Sequence, residues 1–301
     1  MKKFKKIGYI VYGVLIFIVL LYLTFPFDQL KTRIFDTVRS QTGLELEAQK
    51  ARPLIIGGIG LKFSDVSIGG SLPGFQESIS PPMKVEQLWL GISPFSLLFM
   101  HPKVKGGTDL FGGSIFVAAS FDDMFKNPPS KIRISIDEIQ LDQLLPTKKV
   151  GINFKGDLNF DGDLEGDFSN PASLSGEVNG EVENFHLDKT TYEGFNIPEL
   201  TLKKGKFKGS LLKGELKLEV FEFGSPSEDL HVLFEGKIKL GRRLQFSQAD
   251  LIMKMKFSPR VQQDLKAIIP LIQPALKPDG YYAFLIKGRL GGGLPLPVPL
   301  P

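Results

Sequence analysis

Residues 156–168 read Gly-Asp-Leu-Asn-Phe-Asp-Gly-Asp-Leu-Glu-Gly-Asp-Phe and repeat one short pattern of glycine, charged residue and apolar residue. Within this stretch Leu158, Phe160 and Leu164 alternate with polar residues, which is the period of a strand with one buried face. The pattern returns at irregular spacing as far as Gly288-Arg289-Leu290, so it does not indicate a solenoid of fixed period. We therefore predict a long, twisted meander of antiparallel strands whose glycines permit bends and bulges.

The alternation is clearest where Leu216, Leu218 and Val220 are separated by charged residues. Similar runs begin at Leu44 and are bounded by Gly, Pro or Ser clusters, as in antiparallel sheets. An apolar sheet face has to be covered by helices, a second sheet, a partner or acyl chains. The sequence leaves two structures open, a closed sandwich or barrel and a groove. The candidate groove-facing residues are Leu158, Phe160, Leu216, Leu218 and Val220.

Two short helices are predicted beside the strands. The first runs from about Asp28 to Gln41 and ends at Gly43, with Asp28 as a possible N-cap. It either docks on the domain that follows or lies on a membrane surface. The second runs from about Pro259 to Ile269, with Ser258 as its cap. The apolar stripe of the first helix consists of Phe27, Leu30, Ile34 and Val38.

The N-terminal stretch from Ile7 to Phe25 contains no charged residue. Its length of nineteen residues matches the roughly 30 Å hydrocarbon core of a bilayer at about 1.5 Å per helical residue. A cleaved signal peptide would have a shorter apolar region and a small-residue cleavage site, and a core helix would not be apolar on every face. We predict a transmembrane anchor. The anchor residues include Ile10, Leu15, Phe17, Leu21 and Tyr22.

The distribution of charge supports this anchor. Lys2, Lys3, Lys5 and Lys6 precede the apolar stretch, so the positive-inside rule places the N-terminus in the cytoplasm. The rest of the chain then lies across the membrane, which is the periplasm if the cell is a Gram-negative bacterium. The whole chain has a net charge of +4, and residues 1–26 contain four lysines and no acid, so the remainder is neutral. A neutral domain lacks the electrostatic footprint of a nucleic-acid-binding protein.

Catalytic and metal-binding patterns are largely missing. The chain has no cysteine, which excludes disulfides and thiolate chemistry. The stretch from Asp157 to Gly162 imitates the opening of an EF-hand loop, but Phe168 occupies the position of the required bidentate acid. The three histidines, His101, His186 and His231, are isolated in sequence. We predict a protein that is not an enzyme and that needs no cofactor or metal. The alternative is a membrane-tethered enzyme, which would need a pocket where histidines and carboxylates distant in sequence converge.

The predicted organisation has four parts. Residues 1–26 form the basic stub and anchor, 27–43 an amphipathic juxtamembrane helix, and 44–290 a β-rich periplasmic domain. Residues 291–301 form a Pro-rich tail that cannot pair in a sheet interior. This tail is expected to be an extended chain, either a disordered end or a docking segment for a partner.

Four stretches of the chain form a recognisable arrangement. One is the anchor running into Phe25-Pro26-Phe27-Asp28-Gln29-Leu30-Lys31, and another is the strand and turn from Val85 to Leu98. The others are the Gly-x-Leu strands from Gly156 onwards and the closing stretch from Tyr281 to Leu290. Together they resemble the GspN family of type II secretion proteins, in the form related to AsmA-like proteins. The resemblance spans nearly the whole chain and rests on glycine and apolar patterns, without a catalytic signature.

The resemblance implies a single-pass inner-membrane protein that assists the assembly or scaffolding of the type II secretion machinery through protein contacts. The AsmA side of the resemblance implies a β-sheet curved into a groove and a lipid-binding or lipid-transfer role in envelope homeostasis. The implied partners are the inner membrane, other type II secretion subunits and phospholipid. The chain is far shorter than AsmA-like bridges, which argues against one copy spanning the periplasm.

Overall fold

The structure is a computed structural model. It describes residues 12, 13, 16, 27–54, 59–71, 78–93, 96, 99–123, 128–144, 153–192, 195–241, 246–290 and 295–300. The chain forms two compact units, Met1–Pro94 and Phe95–Pro301. Strands dominate both units, as the alternating sequence predicts.

The N-terminal apolar stretch lies mostly outside the described residues. Tyr12, Gly13 and Ile16 are described and are helical, whereas the predicted anchor residues Ile10, Leu15, Phe17, Leu21 and Tyr22 are not described. Within the described ranges, no helix combines the length and the apolar character that crossing a bilayer requires.

From residue 27 onward, the described part of the first unit consists of a helix followed by three antiparallel strands. Helix α1 (Phe27–Thr42) leads into strands β1 (Leu44–Leu54), β2 (Ile59–Ser71) and β3 (Ser78–Ile92), paired in that order. Phe35 of α1 is buried against Phe63 of β2, with ring centroids 5.1 Å apart. Lys31 Nζ also donates to the carbonyl oxygen of Ala48 at 3.3 Å. The predicted amphipathic helix therefore docks on the sheet, and Phe35, beside the predicted stripe, is its most buried apolar residue.

The second unit contains the remaining strands. Its strands are β4 (Lys103–Leu110), β5 (Gly113–Ser120), β6 (Lys131–Gln140), β7 (Phe154–Glu165), β8 (Ser175–Leu187), β9 (Thr190–Tyr192), β10 (Phe195–Ile197), β11 (Leu200–Leu212), β12 (Glu215–Phe223), β13 (Leu230–Lys239), β14 (Gln248–Phe257), β15 (Tyr282–Arg289) and β16 (Val298–Pro299). The short helices are α2 (Leu141–Leu144), α3 (Pro259–Asp264) and α4 (Ile269–Ile272), and two 3-10 turns span Pro171–Ser173 and Gln273–Ala275.

These strands form a meander in which each strand pairs antiparallel with its neighbours along the chain. Only β9 and β10 stand apart, as a small hairpin between β8 and β11. The predicted long antiparallel sheet is confirmed in this unit. Antiparallel neighbours need only short connections, which explains why glycine-containing turns recur so often in the sequence.

The repeated glycines serve two different purposes. Gly176 and Gly236, which open two copies of the motif, have φ values of +150° and +130°. A side chain there would collide with the carbonyl oxygens of Asp163 and Asp250 on neighbouring strands, so only glycine fits. Gly180 and Gly205 have no positive φ; they lie beneath aromatic rings.

The C-terminal helix differs from its prediction. Ser258 caps α3 by accepting a hydrogen bond from the Val261 backbone N–H at 3.3 Å, as expected. The helix then ends at Asp264 rather than Ile269, and Ile269–Ile272 forms the separate helix α4. Pro270 lies in the first turn of α4, where its missing N–H is tolerated, so it fits the start of a new helix better than the interior of one long helix.

The Pro-rich tail is also more structured than predicted. Val298 and Pro299 form β16 and pair with Leu285 and Phe284 on β15. The Leu300 N–H donates to the Ala283 carbonyl oxygen at 2.9 Å. The tail therefore lies at the sheet edge, the place where a proline-containing strand is tolerated.

Candidate functional site: a partly exposed apolar sheet face

In the second unit, one face of the sheet is apolar across nearly its whole width. Residues directly opposite each other in an antiparallel ladder share a face, so the pairing identifies rows of side chains. Two such rows cross from β4 to β15, and every member is apolar or glycine. The first row is Gly106, Val117, Ile134, Gly162, Val178, Gly209, Leu218, Gly236, Leu251 and Ile286. The second row is Val104, Ala119, Ile132, Leu164, Gly176, Leu211, Leu216, Ile238, Ala249 and Gly288.

A third row contributes most of the aromatic rings. From β5 to β12 it consists of Ile115, Ile136, Phe160, Gly180, Phe207 and Phe221. The ring of Phe221 continues the row by contacting Phe234 on β13, with centroids 4.7 Å apart. We call the three rows together the apolar face.

The apolar face is covered at one end and partly exposed elsewhere. Ala249, Leu251 and Ile286 are only 2–6% exposed, and Leu218, Phe234, Ile238, Met253 and Leu290 pack against them. Next to this cluster, Ile269 and Ile272 of α4 pack against Tyr282 and Phe284. From β5 to β12, by contrast, most apolar-face side chains remain partly exposed, and Val117 is 38% exposed. A closed sandwich core would bury these residues fully.

Aromatic rings cover the glycines of the exposed part. A side chain added at Gly180 would touch the rings of Phe160 and Phe207 at 3.5–3.6 Å, so both rings lie over this glycine. Phe223 lies over Gly205 in the same way, close enough to collide with any added methyl group. The rings of Phe207 and Phe221 are 5.9 Å apart and edge-on. The rings therefore pack laterally on the sheet, which leaves their outer surfaces available to a ligand.

The opposite face of the sheet is charged and faces water. Asp163 lies opposite Arg133 and also bonds Lys131 at 2.8 Å. Hydrogen bonds from Lys131 and then Arg133 lower the pKa of Asp163 below its usual value, although burial opposes the shift. Further cross-strand pairs join Lys237 to Glu215 at 3.2 Å and Lys254 to Glu235 at 3.1 Å. We call this side the charged face.

Four of the five predicted groove residues lie on the apolar face, and one does not. Leu216 and Leu218 belong to its rows, as does Phe160, and Leu158 pairs with Ile139 and Val182 on the same side. Val220 instead lies opposite Lys208 on the charged face and is 41% exposed. The reason is a β-bulge between Lys208 and Gly209, where β12 contains an extra residue and its alternation reverses.

His101 is exposed and His186 is half-buried, whereas His231 belongs to a network that the sequence does not reveal. His231 is 4% exposed, and its Nε2 and Nδ1 atoms lie 2.9 Å from Glu222 Oε1 and 2.8 Å from the Tyr281 hydroxyl. Both ring nitrogens of His231 are therefore hydrogen-bonded, Nε2 with the carboxylate and Nδ1 with the phenol. Burial first, then the charges of Asp279 and Glu222, raise the pKa of Tyr281. The network links β12, β13 and the turn before β15.

Metal binding finds no support in the described ranges, where no three histidine, aspartate or glutamate side chains converge into a group that could hold an ion. The EF-hand-like segment Asp157–Gly162 lies within β7. Its Asp161 accepts a hydrogen bond from the Ser135 hydroxyl at 2.8 Å on the charged face. The acids of this segment are therefore ordinary members of a solvated strand surface.

Comparison with known proteins identifies no relative. No protein family, no curated protein and no solved structure matches this chain.

Proposed function

We propose that this protein is a non-enzymatic component of the bacterial type II secretion machinery, anchored in the inner membrane with its sheet in the periplasm. The resemblance in sequence supports membership of the secretion machinery. The partly exposed apolar face supports a role in binding another protein. A face of this kind is characteristic of an interaction surface, because soluble proteins rarely leave a large apolar patch uncovered. The anchor would hold the face at a high local concentration beside other membrane subunits.

Photo-crosslinking in intact cells tests this function. A photoreactive amino acid replaces Phe160 on the apolar face or Val220 on the charged face of the full chain. We expect other type II secretion subunits to be cross-linked from position 160 and not from position 220. Recovery of no secretion subunit from either position, or equal recovery from both, contradicts the proposal.

The same face supports a second candidate function, binding of phospholipid acyl chains in a curved groove. From β5 to β12 the partly exposed region spans six strands. At about 4.8 Å between strands this is roughly 24 Å, longer than the ~15 Å that one leaflet of hydrocarbon occupies. One acyl chain could therefore lie across the strands over the aromatic row. The charged face opposite would remain in water.

Co-purification distinguishes this second function. Phospholipid extracted from the purified full chain is quantified by mass spectrometry for the wild type, Phe160→Asp and Val220→Asp. Lipid binding on the apolar face predicts loss of phospholipid in Phe160→Asp and retention in Val220→Asp, because a buried carboxylate is costly beside acyl chains. Equal phospholipid in all three samples would show that the lipid is bound elsewhere.

A further inference from the structure

The C-terminal tail, residues 295–300, alternates proline with larger apolar residues in a way that matches its position on the sheet. Successive backbone N–H groups of a strand point to opposite sides. The Leu300 N–H points to β15, because it donates to the Ala283 carbonyl oxygen at 2.9 Å. Val298, two residues earlier and paired with Leu285, has the same orientation. Pro297 and Pro299 therefore occupy the positions whose N–H groups would point away from the sheet.

This arrangement prevents the sheet from growing further. An unprotected edge strand offers a row of N–H and C=O groups to any other strand, and natural proteins block such edges with proline. Here the outer side of the tail presents Pro297 and Pro299, which cannot donate a hydrogen bond. Lys277 Nζ additionally donates to the Leu300 carbonyl oxygen at 2.7 Å and holds the end of the tail in place. The tail acts as a cap on the edge of β15.

The edge beneath this cap is complementary to itself. The backbone N–H and C=O groups of Ala283 point to this edge. By alternation along the strand, the backbone groups of Leu285 and Lys287 point to it as well. Two copies of β15 can then pair antiparallel around a two-fold axis through Leu285. That register places Ala283 opposite Lys287 of the second copy, so no like charges meet.

On the apolar face, the same register forms favourable pairs. Phe284 lies opposite Ile286 of the second copy, and Tyr282 lies opposite Gly288 of the second copy. An aromatic ring over a glycine is the packing already seen where Phe223 covers Gly205. Pairing would also join the two apolar faces into one continuous surface across the dimer.

We propose that the C-terminal tail is a displaceable cap and that the β15 edge beneath it is a dimerisation strand for a second copy of this chain. This interface is isologous, as expected for a two-fold dimer. The dimer interface uses backbone groups at the edge of β15, so it does not depend on which ligand binds the apolar face. When the tail is displaced, the short, proline-containing β16 is replaced by β15 of the second copy. That strand is longer and has backbone N–H donors along its whole edge.

Site-directed disulfide cross-linking tests this register, since the chain has no cysteine of its own. Leu285→Cys is introduced into the full chain and into a chain that lacks residues 295–301, and both are oxidised in membranes. In the proposed dimer the two copies of position 285 are about 5.5 Å apart between Cα atoms, within disulfide range. Lys287→Cys is the matched control, because its two copies would be offset by about 13 Å along the strands.

We expect a covalent dimer with Leu285→Cys in the truncated chain, a strongly reduced amount with the tail present, and none with Lys287→Cys. Leu300→Pro provides a second route, because it removes the N–H donated to Ala283 without shortening the chain. It should also increase dimer formation by Leu285→Cys. The proposal is overturned if neither tail variant increases the dimer, or if positions 285 and 287 cross-link equally.

Discussion

Replacing two neighbouring apolar residues of β12 tests the location of the β-bulge. Leu218 and Val220 are two residues apart, so strict alternation assigns them to the same face. In the structure Leu218 packs against Ala249, Leu251 and Ile286, which are all buried. Val220 lies on the charged face and is 41% exposed. Leu218→Ala should therefore destabilise the protein much more than Val220→Ala.

The magnitude follows from the packing of each side chain. A fully buried Leu→Ala replacement costs about 2–5 kcal/mol, and the partial exposure of Leu218 reduces the expected cost to about 1–3 kcal/mol. Val220→Ala should change the free energy of unfolding by less than about 0.5 kcal/mol, as is usual for an exposed position. For a unit of this size, a loss of about 2 kcal/mol lowers Tm by roughly 4–8 °C.

The assay is thermal unfolding of the full chain in one detergent, followed by the far-ultraviolet circular dichroism of its strands. Wild type, Leu218→Ala and Val220→Ala are measured side by side. Equal losses of stability in the two variants would refute the reasoning, because they would place Val220 in the same packed environment as Leu218.

Two further predictions concern other parts of the sheet. Gly205→Ala should cost about 1–3 kcal/mol because the new methyl group collides with the ring of Phe223, whereas the control Gly180→Ala makes only ordinary contacts; urea unfolding compares them. Hydrogen bonds from Lys131 and Arg133 lower the pKa of Asp163 in the folded protein. The stabilisation of the fold by ionised Asp163 is therefore present above the unfolded pKa of about 3.9 and is lost as the pH falls through the folded pKa. The difference in stability between wild type and Asp163→Asn should thus be largest above about pH 5 and shrink at lower pH; a difference that stays constant with pH would contradict this.

The apolar face explains why one chain suits two proposed functions. From β5 to β12 most of its side chains are partly exposed, and the rings of Phe160 and Phe207 lie over Gly180. Both a protein segment and an acyl chain would gain by covering these partly exposed side chains, at roughly 25 cal/mol for each Å² of apolar surface removed from water. The cross-linking and co-purification experiments distinguish these two ligands through the same pair of positions, Phe160 and Val220.

Local pattern was sufficient for much of the architecture. The alternation around Leu158 and Phe160 predicts strands, and short turns between strands favour antiparallel neighbours. The stripe before Gly43 predicts the first helix, and Ser258 with Pro259 predicts the start of α3. These features depend on interactions between residues that are close in sequence, so the sequence is sufficient to predict them.

Other features depend on residues that are distant in sequence, and only the tertiary structure decided them. The position of Val220 depends on how β12 pairs with Lys208 on β11, because the bulge places an extra residue against a single partner. The network of His231 depends on Tyr281, fifty residues away. The pairing of the Pro-rich tail depends on the edge of β15 being unoccupied by any other strand. The sequence alone thus determined which segments are strands and how polar and apolar residues alternate along them. The contacts between strands determined which face of the sheet each side chain occupies.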